Sequence, residues 1–216
     1  MKYYLYVKTI LDTLLALILL VMLSPVITLS AILIKLEDPS GPIFFRQKRI
    51  GKNRKVFSVF KLRSMKVTTE ENGVALSDTD RMLKYGGLFR KLSLDELPQF
   101  INIIKGDMSF IGPRPLPVIY GPYFNEIEDK RHNVKPGISG WAQVNGRNNL
   151  GWEEKFKLDV EYVNNVSFLF DFKIVLMTIW KVLRKSDVVV RGENEVMDFH
   201  TYRIKQLNNI KEQNNG

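Results

Sequence analysis

Residues 13–34, TLLALILLVMLSPVITLSAILI, carry no charged side chain. They are long enough to traverse a bilayer core, which takes about 20 apolar residues. A secretory signal is a poor match, because its apolar stretch runs to about 7–15 residues and ends at a small-residue cleavage site. Lys2 and Lys8 precede the segment, whereas Lys35, Arg46, Lys48, Arg49, Lys52, Arg54 and Lys55 follow it, and this heavier basic flank predicts a cytoplasmic body. Ser24-Pro25 falls mid-segment, where proline removes a backbone donor and crowds the preceding turn. On the residues alone, a kinked spanning helix and a re-entrant helix that returns to the same face fit equally well, and the second needs Ser24 or a neighbour to satisfy backbone groups at the break.

The remaining chain is basic, with 32 Lys and Arg against 23 Asp and Glu and a formal charge of +9, so an anionic partner is expected: nucleic acid, phosphorylated substrate or acidic lipid. With no cysteine, disulfides, thiolate catalysis and Cys-ligated zinc are excluded, and His132 and His200 lie too far apart in sequence to suggest a histidine metal site. Carboxylates, lysines, arginines and a hard cation remain as chemical tools.

Ile43 to Phe45 and Val56 to Phe60 are β-prone stretches around a basic Gly51-Lys52-Asn53 turn, the pattern of a β-hairpin. Residues 67–80 are polar, contain Gly73 and read as a surface loop. Leu97, Phe100, Ile101 and Ile104 keep the spacing of one buried helix face that stops at Gly106. The apolar run from Phe168 to Leu183 is broken by Asp171, Lys173 and Lys181, which suits a core or interfacial helix rather than a second span. Residues 198–216, rich in Asn, Gln and Lys, read as a weakly ordered tail.

Ser93-x-x-Glu96 matches a capping box, although Pro98 fits better if Asp95 is the cap. As an isolated motif Asp95-Glu96 needs no role beyond capping. Adjacent carboxylates can also divide labour, one attacking phosphorus while the other handles a proton or a metal. A carboxylate approaching a diphosphate needs charge suppression, which Mg²⁺ and arginines supply. Arg114, between Pro113 and Pro115, has a restricted backbone that suits presentation of a guanidinium to phosphate. The turn-rich KPGISGWAQVNGRNN could bring Trp141 and Arg147 to a ligand, and Lys61, Arg63 and Arg90 could extend an anion site; solvated charge and a core tryptophan are the plainer readings.

In order along the chain, Ser24-Pro25 in an apolar helix, EDPSGPIFFRQKRIG, FKLRSM, SLDELPQFINIIKGDMSFIGPRP, KPGISGWAQVNGRN and EKFKLDVEYVNNVSFLFDFKI resemble the bacterial sugar transferase family, the small monotopic phosphoglycosyl transferases. The resemblance covers most of residues 1–185. It implies that Asp95 is the nucleophile, attacking the β-phosphate of a UDP-sugar, releasing UMP and holding a phosphosugar that a polyprenyl (undecaprenyl) phosphate then accepts. It further implies Mg²⁺ at Asp95, assistance from Glu96, and Lys61, Arg90, Arg114 and Arg147 as the active-site surround. The resemblance also implies that the Ser24-Pro25 helix is re-entrant, on the cytoplasmic face of a bacterial inner membrane, and that the reaction initiates assembly of a surface glycan such as a capsule, O-antigen or glycoprotein glycan.

The fold expected is α+β and mostly helical: a re-entrant membrane helix at residues 1–36, a compact cytoplasmic catalytic domain at 37–197 with a small β-hairpin and interfacial amphipathic helices, and a polar tail at 198–216. Partners expected are the UDP-sugar, the polyprenyl phosphate and membrane lipid, without nucleic acid; a second copy of the chain and downstream glycosyltransferases are compatible with it. Two other functions are weighed. A nucleic-acid binder is suggested by the aromatic-flanked RQKRIGKNRKVF, but membrane topology and anionic lipid already account for that run. A non-catalytic adaptor of an envelope assembly would not need Asp95.

Overall fold

The computed structural model describes residues 2–71, 73–146, 150–184 and 197–214. The chain folds as two compact units, Met1–Gln47 with Ser58–Phe110, and Lys48–Phe57 with Ile111–Gly216.

The first unit opens on α1 (Lys2–Glu37), rich in leucine and isoleucine. The break expected at Ser24-Pro25 is not seen: Pro25 lies inside one continuous helix. Pro25 cannot donate to the carbonyl of Val21, and the Ser24 hydroxyl donates to that oxygen instead at 2.8 Å, so the backbone group left over is satisfied locally. Lys8, Ala16, Ser30 and Ile34 are buried on one face. The other faces expose Leu14, Leu17, Ile18, Val21, Met22 and Leu29, an apolar sleeve suited to lipid rather than water. The helix is not a detachable appendage. Near its start Asp12 accepts from Ser109 Oγ and pairs with Lys8, and near its end Ile34 shares a core with Leu62, Leu83 and Phe89. Just beyond it Asp38 is bound by the Ser40 hydroxyl and the buried Arg63 guanidinium, which hold its carboxyl at about 2.

The hairpin lies where the β-branched and aromatic residues place it. β1 (Phe44–Ile50) pairs with β2 (Val56–Leu62), and Asn53 and Arg54 turn through left-handed φ values of 52° and 60°. Within the polar 67–80 segment a two-residue ladder, β3 (Glu70–Glu71) with β4 (Val74–Ala75), turns at Gly73. Next come α2 (Gly86–Lys91) and α3 (Gln99–Ile104); α3 packs against α1 and stops at Gly106, whose φ of 82° is a glycine conformation. The buried face of α3 is Gln99, Phe100, Asn102 and Ile103, while Ile101 and Ile104 are only half-buried, a rotation from the apolar pattern forced by the inward turn of Asn102.

β5 (Ser109–Ile111) leads into the second unit, where Gly112 N donates to the Ser139 carbonyl of β6 (Gly137–Ser139) at 2.9 Å. α4 (Glu126–Asp129) starts at a full capping box between Asn125 and Glu128. After α5 (Trp141–Asn145) and α6 (Trp152–Asn164), α7 spans Phe168–Leu183, the range read from its apolar run. It buries Asp171, which accepts from Tyr162 Oη at 2.7 Å, and Ile174. Phe168, Leu169, Phe172, Leu176, Ile179 and Leu183 stay exposed, which gives α7 an apolar outer face. The expected weak tail is instead α8 (Phe199–Asn214). Its polar composition hides one deep anchor: Phe199 is fully buried among Tyr120, Trp152 and Phe156, and Arg203 pairs with Glu128.

Candidate active site

Three of the expected residues converge in the first unit. Lys61 Nζ lies 2.7 Å from Glu96 Oε1 and 3.7 Å from Asp95 Oδ2, so one ammonium binds both members of the dyad. Asp95 is buried, and Glu96 and Lys61 are half-buried, which keeps solvent screening of the trio low.

The local chain conformation differs from the capping box expected at Ser93. Ser93 has a left-handed φ of 56° and its side chain caps nothing. Leu94–Glu96 instead form a 3₁₀ turn, with Glu96 N donating to Ser93 O and Leu97 N to Leu94 O, each at 3.2 Å. Pro98 follows as N-cap of α3, where its missing N–H costs nothing. Both carboxylates are thus fixed on a tight turn braced by a proline.

Asn102 escaped the sequence reading. It is fully buried, donates Nδ2 to Ser58 O at 2.7 Å and accepts from Phe60 N at 3.0 Å, filling the open edge of β2 with side-chain amide bonds. Because Lys61 follows Phe60, this pins the strand that delivers Lys61 to the dyad. The available signal was a pair of amides, Gln99 and Asn102, in an otherwise apolar helix.

Other expected residues have separate surroundings. Arg90 donates Nε to Ser64 Oγ at 2.9 Å. Arg63 is a structural clamp, donating to the carbonyls of Asp38 and Pro42. Arg114 belongs to the second unit, in a shallow depression lined also by Pro113, Pro115, Arg131 and His132. Trp141 stacks edge-on against Phe170 with Lys173 over its ring, as a half-buried anchor. Arg147 lies outside the described residues.

A family model for bacterial sugar transferases matches residues 3–185, which include the dyad, Lys61 and Arg114. The chain belongs to the bacterial sugar transferase family. Among similar proteins, EpsL of Bacillus subtilis (strain 168), named an uncharacterized sugar transferase, is 47% identical over 82% of this chain and 87% of its own length. The UDP-glucose:undecaprenyl-phosphate glucose-1-phosphate transferase of Escherichia coli (strain K12) is 42% identical over 79% of this chain but 39% of its own length. The UDP-N-acetylgalactosamine-undecaprenyl-phosphate N-acetylgalactosaminephosphotransferase of Aeromonas hydrophila is also 42% identical, over 83% of this chain and 44% of its own length. This sugar transferase chain thus spans less than half the length of these two relatives, whose names state a substrate.

The donor set of this family member suits Mg²⁺. Two neighbouring carboxylates offer hard oxygens, and no cluster of three His, Cys, Asp or Glu occurs among the described residues. Mg²⁺ held through one or two carboxylates would draw its remaining ligands from water and the substrate's phosphates.

Beside Arg114, the buried His132 ring lies with Nδ1 2.9 Å from Asp129 Oδ1, while its buried Nε2 has no partner, as suits a neutral ring donating from Nδ1. Burial first, and the Arg131 cation second, push its pKa down from 6.5 to about 4; Asp129 opposes them and Arg54 adds to the lowering. The unfolded chain takes up this proton near pH 6.5, whereas the fold resists until about pH 4. The associated stability is complete above pH 6.5 and is lost as pH falls toward 4, by about 3 kcal/mol. Denaturation midpoints followed across this window should show the loss, and His132→Gln should flatten it.

Proposed function

We propose that this chain is a phosphoglycosyl transferase that moves a phosphosugar from a UDP-sugar to a polyprenyl phosphate at the cytoplasmic face of the membrane. The observation that carries the reading is the Lys61 ammonium bound to both Asp95 and Glu96 on a proline-braced turn, in the unit that also contains the apolar helix. Family membership, and relatives named for undecaprenyl-phosphate transfer, support it.

In the first step an Asp95 carboxylate oxygen bonds to the β-phosphorus of the donor while the bond from that phosphorus to the bridging oxygen breaks, and UMP leaves with the electron pair. The aspartyl-phosphosugar so formed is attacked at phosphorus by an oxygen of the lipid phosphate. The Asp95–phosphorus bond breaks, the carboxylate is restored, and a polyprenyl diphosphate sugar departs. Lys61 orients both carboxylates and offsets charge as the diphosphate approaches. Glu96, hydrogen-bonded to Lys61, takes the proton of a protonated acceptor phosphate. Mg²⁺, held through Asp95, would neutralise the diphosphate when bound.

The membrane reading is of a monotopic protein, with residues 1–36 entering and leaving one leaflet and 37–197 forming the catalytic part. Support comes from the two ends of α1. Asp12 and Ile34 would stand about 33 Å apart on a straight helix, roughly a bilayer core, yet both engage the same compact unit. A helix with its ends on opposite faces would leave Lys8 and Asp12 beyond the lipid from that unit. The acceptor's long chain cannot readily leave lipid, since each buried CH₂ contributes about 0.8 kcal/mol, so the enzyme meets it at the surface.

Two measurements bear on these readings. Nanodisc-held protein, given polyprenyl phosphate, Mg²⁺ and a panel including UDP-glucose and UDP-N-acetylgalactosamine, should release UMP with at least one donor; no release across the panel would contradict the activity. The chain has no cysteine, so Tyr3→Cys and Lys52→Cys can be labelled singly in sealed vesicles. Both should react from the cytoplasmic side, and labelling of Tyr3→Cys only from the opposite side would contradict the re-entrant helix.

A further inference from the structure

We infer that Asn102 is a positioning residue for Lys61: its side-chain amide locks β2 in the one register that brings the Lys61 ammonium to the dyad. The inference rests on the proposed transfer reaction and goes beyond it by giving a part in that reaction to a side chain bonded only to backbone. Asn102, Lys61, Asp95 and Glu96 all belong to the first unit.

Asn102 lies on α3, the helix into which the turn of Asp95 and Glu96 leads. Its backbone secures the end of that helix, since the Asn102 carbonyl accepts from Asp107 N at 2.9 Å and from Met108 N at 3.2 Å, around the left-handed Gly106. Its side chain joins β2 instead, where Nδ2 donates to Ser58 O at 2.7 Å and Oδ1 accepts from Phe60 N at 3.0 Å. The residue is fully buried, so water does not compete for these bonds. One residue therefore ties the element that follows the dyad to the element that carries Lys61.

The two backbone groups that Asn102 engages are the ones that define strand register. A carbonyl and the N–H two residues on point to the same edge of a strand, while the groups of the residue between them point to the other. The amide thus fits Ser58 and Phe60 as a pair, and a shift of one residue would present it with neither. Side chains alternate in the same way, so Lys61 shares a face with the buried Val59, and that shift would turn its ammonium away from the dyad. Among the described residues β2 pairs with β1 as its one neighbouring strand, and Asn102 takes the other edge. A lysine stem is flexible, and its contacts of 2.7 Å to Glu96 and 3.7 Å to Asp95 need a fixed root. Displacing an orienting group by about 1 Å can cost about a hundredfold in rate.

The test uses nanodisc-held full-length protein, and its first arm needs no donor. Acetylation of each lysine by acetic anhydride is followed by mass spectrometry. In Asn102→Leu, which keeps the shape and removes both bonds, Lys61 should react about tenfold faster than in wild type, while Lys8, buried in α1, keeps its rate. In the second arm, Asn102→Leu should lower kcat for transfer by about tenfold, with the donor KM within about twofold. Lys61→Met should lose about a hundredfold, and adding Asn102→Leu to it should cost nothing more, because Asn102 acts through Lys61. Should Asn102→Leu fail to fold, Asn102→Ala, which admits water to the strand edge, carries the same comparisons. An unchanged Lys61 rate, or equal acceleration of Lys61 and Lys8, would make Asn102 a purely structural residue and overturn the inference. A loss by the same factor with and without Lys61, or a wild-type rate in Lys61→Met, would overturn it too. No UMP release by wild type would instead overturn the transfer reaction on which the inference rests, whereas failure of either arm in an active wild type overturns the inference alone.

Discussion

Asp95→Asn should lower transfer by at least about a thousandfold, with folding unchanged. The amide has nearly the carboxylate's shape and can occupy the same buried turn, and Lys61 keeps its 2.7 Å partner in Glu96. What disappears is the charge and nucleophilicity of the oxygen proposed to bond phosphorus. Were the second carboxylate able to take over, a smaller loss would follow, and the two-role assignment would be wrong. An adaptor without catalysis predicts no loss at all, so UMP release by wild type and Asp95→Asn side by side separates the two functions.

The second large effect is on stability. Arg131→Met leaves the Asp159 carboxylate buried without its cation and deprives the Arg114 carbonyl of its donor. Breaking one side of a buried pair costs about 3–5 kcal/mol, which for a chain of this size lowers Tm by about 10 °C. Adding Asp159→Leu removes the stranded charge, and the double variant should melt above Arg131→Met. If Arg131→Met melts with wild type, the pair is not the interaction its geometry describes.

Legibility from sequence followed the range of the interactions. The hairpin and α7 were readable because their signals are local: β-branched and aromatic stretches around a basic turn, and an apolar run interrupted by Asp171, Lys173 and Lys181. α8 was not, since a segment rich in Asn, Gln and Lys has little helical signal of its own and is secured by one distant contact set around Phe199. The capping box at Ser93 failed because motif spacing does not encode φ, and a left-handed serine cannot aim its hydroxyl as a cap does.

Within the candidate site, the dyad by itself read as no more than a helix cap, and the family resemblance, not its local pattern, gave it phosphorus chemistry and placed Lys61 near it. Asn102 was invisible because it acts through partners remote in sequence, Ser58 and Phe60. One polar residue inside an apolar pattern does not state which distant backbone group it will meet.

The covalent step is open to direct weighing. Intact-protein mass spectrometry of nanodisc-held chain, incubated with an accepted UDP-sugar and Mg²⁺ but no lipid phosphate, should show a species heavier by one phosphosugar and located on Asp95. Polyprenyl phosphate should discharge it, and Asp95→Asn should never form it. Transfer at full rate with no such species, or an equal adduct on Asp95→Asn, would contradict the account.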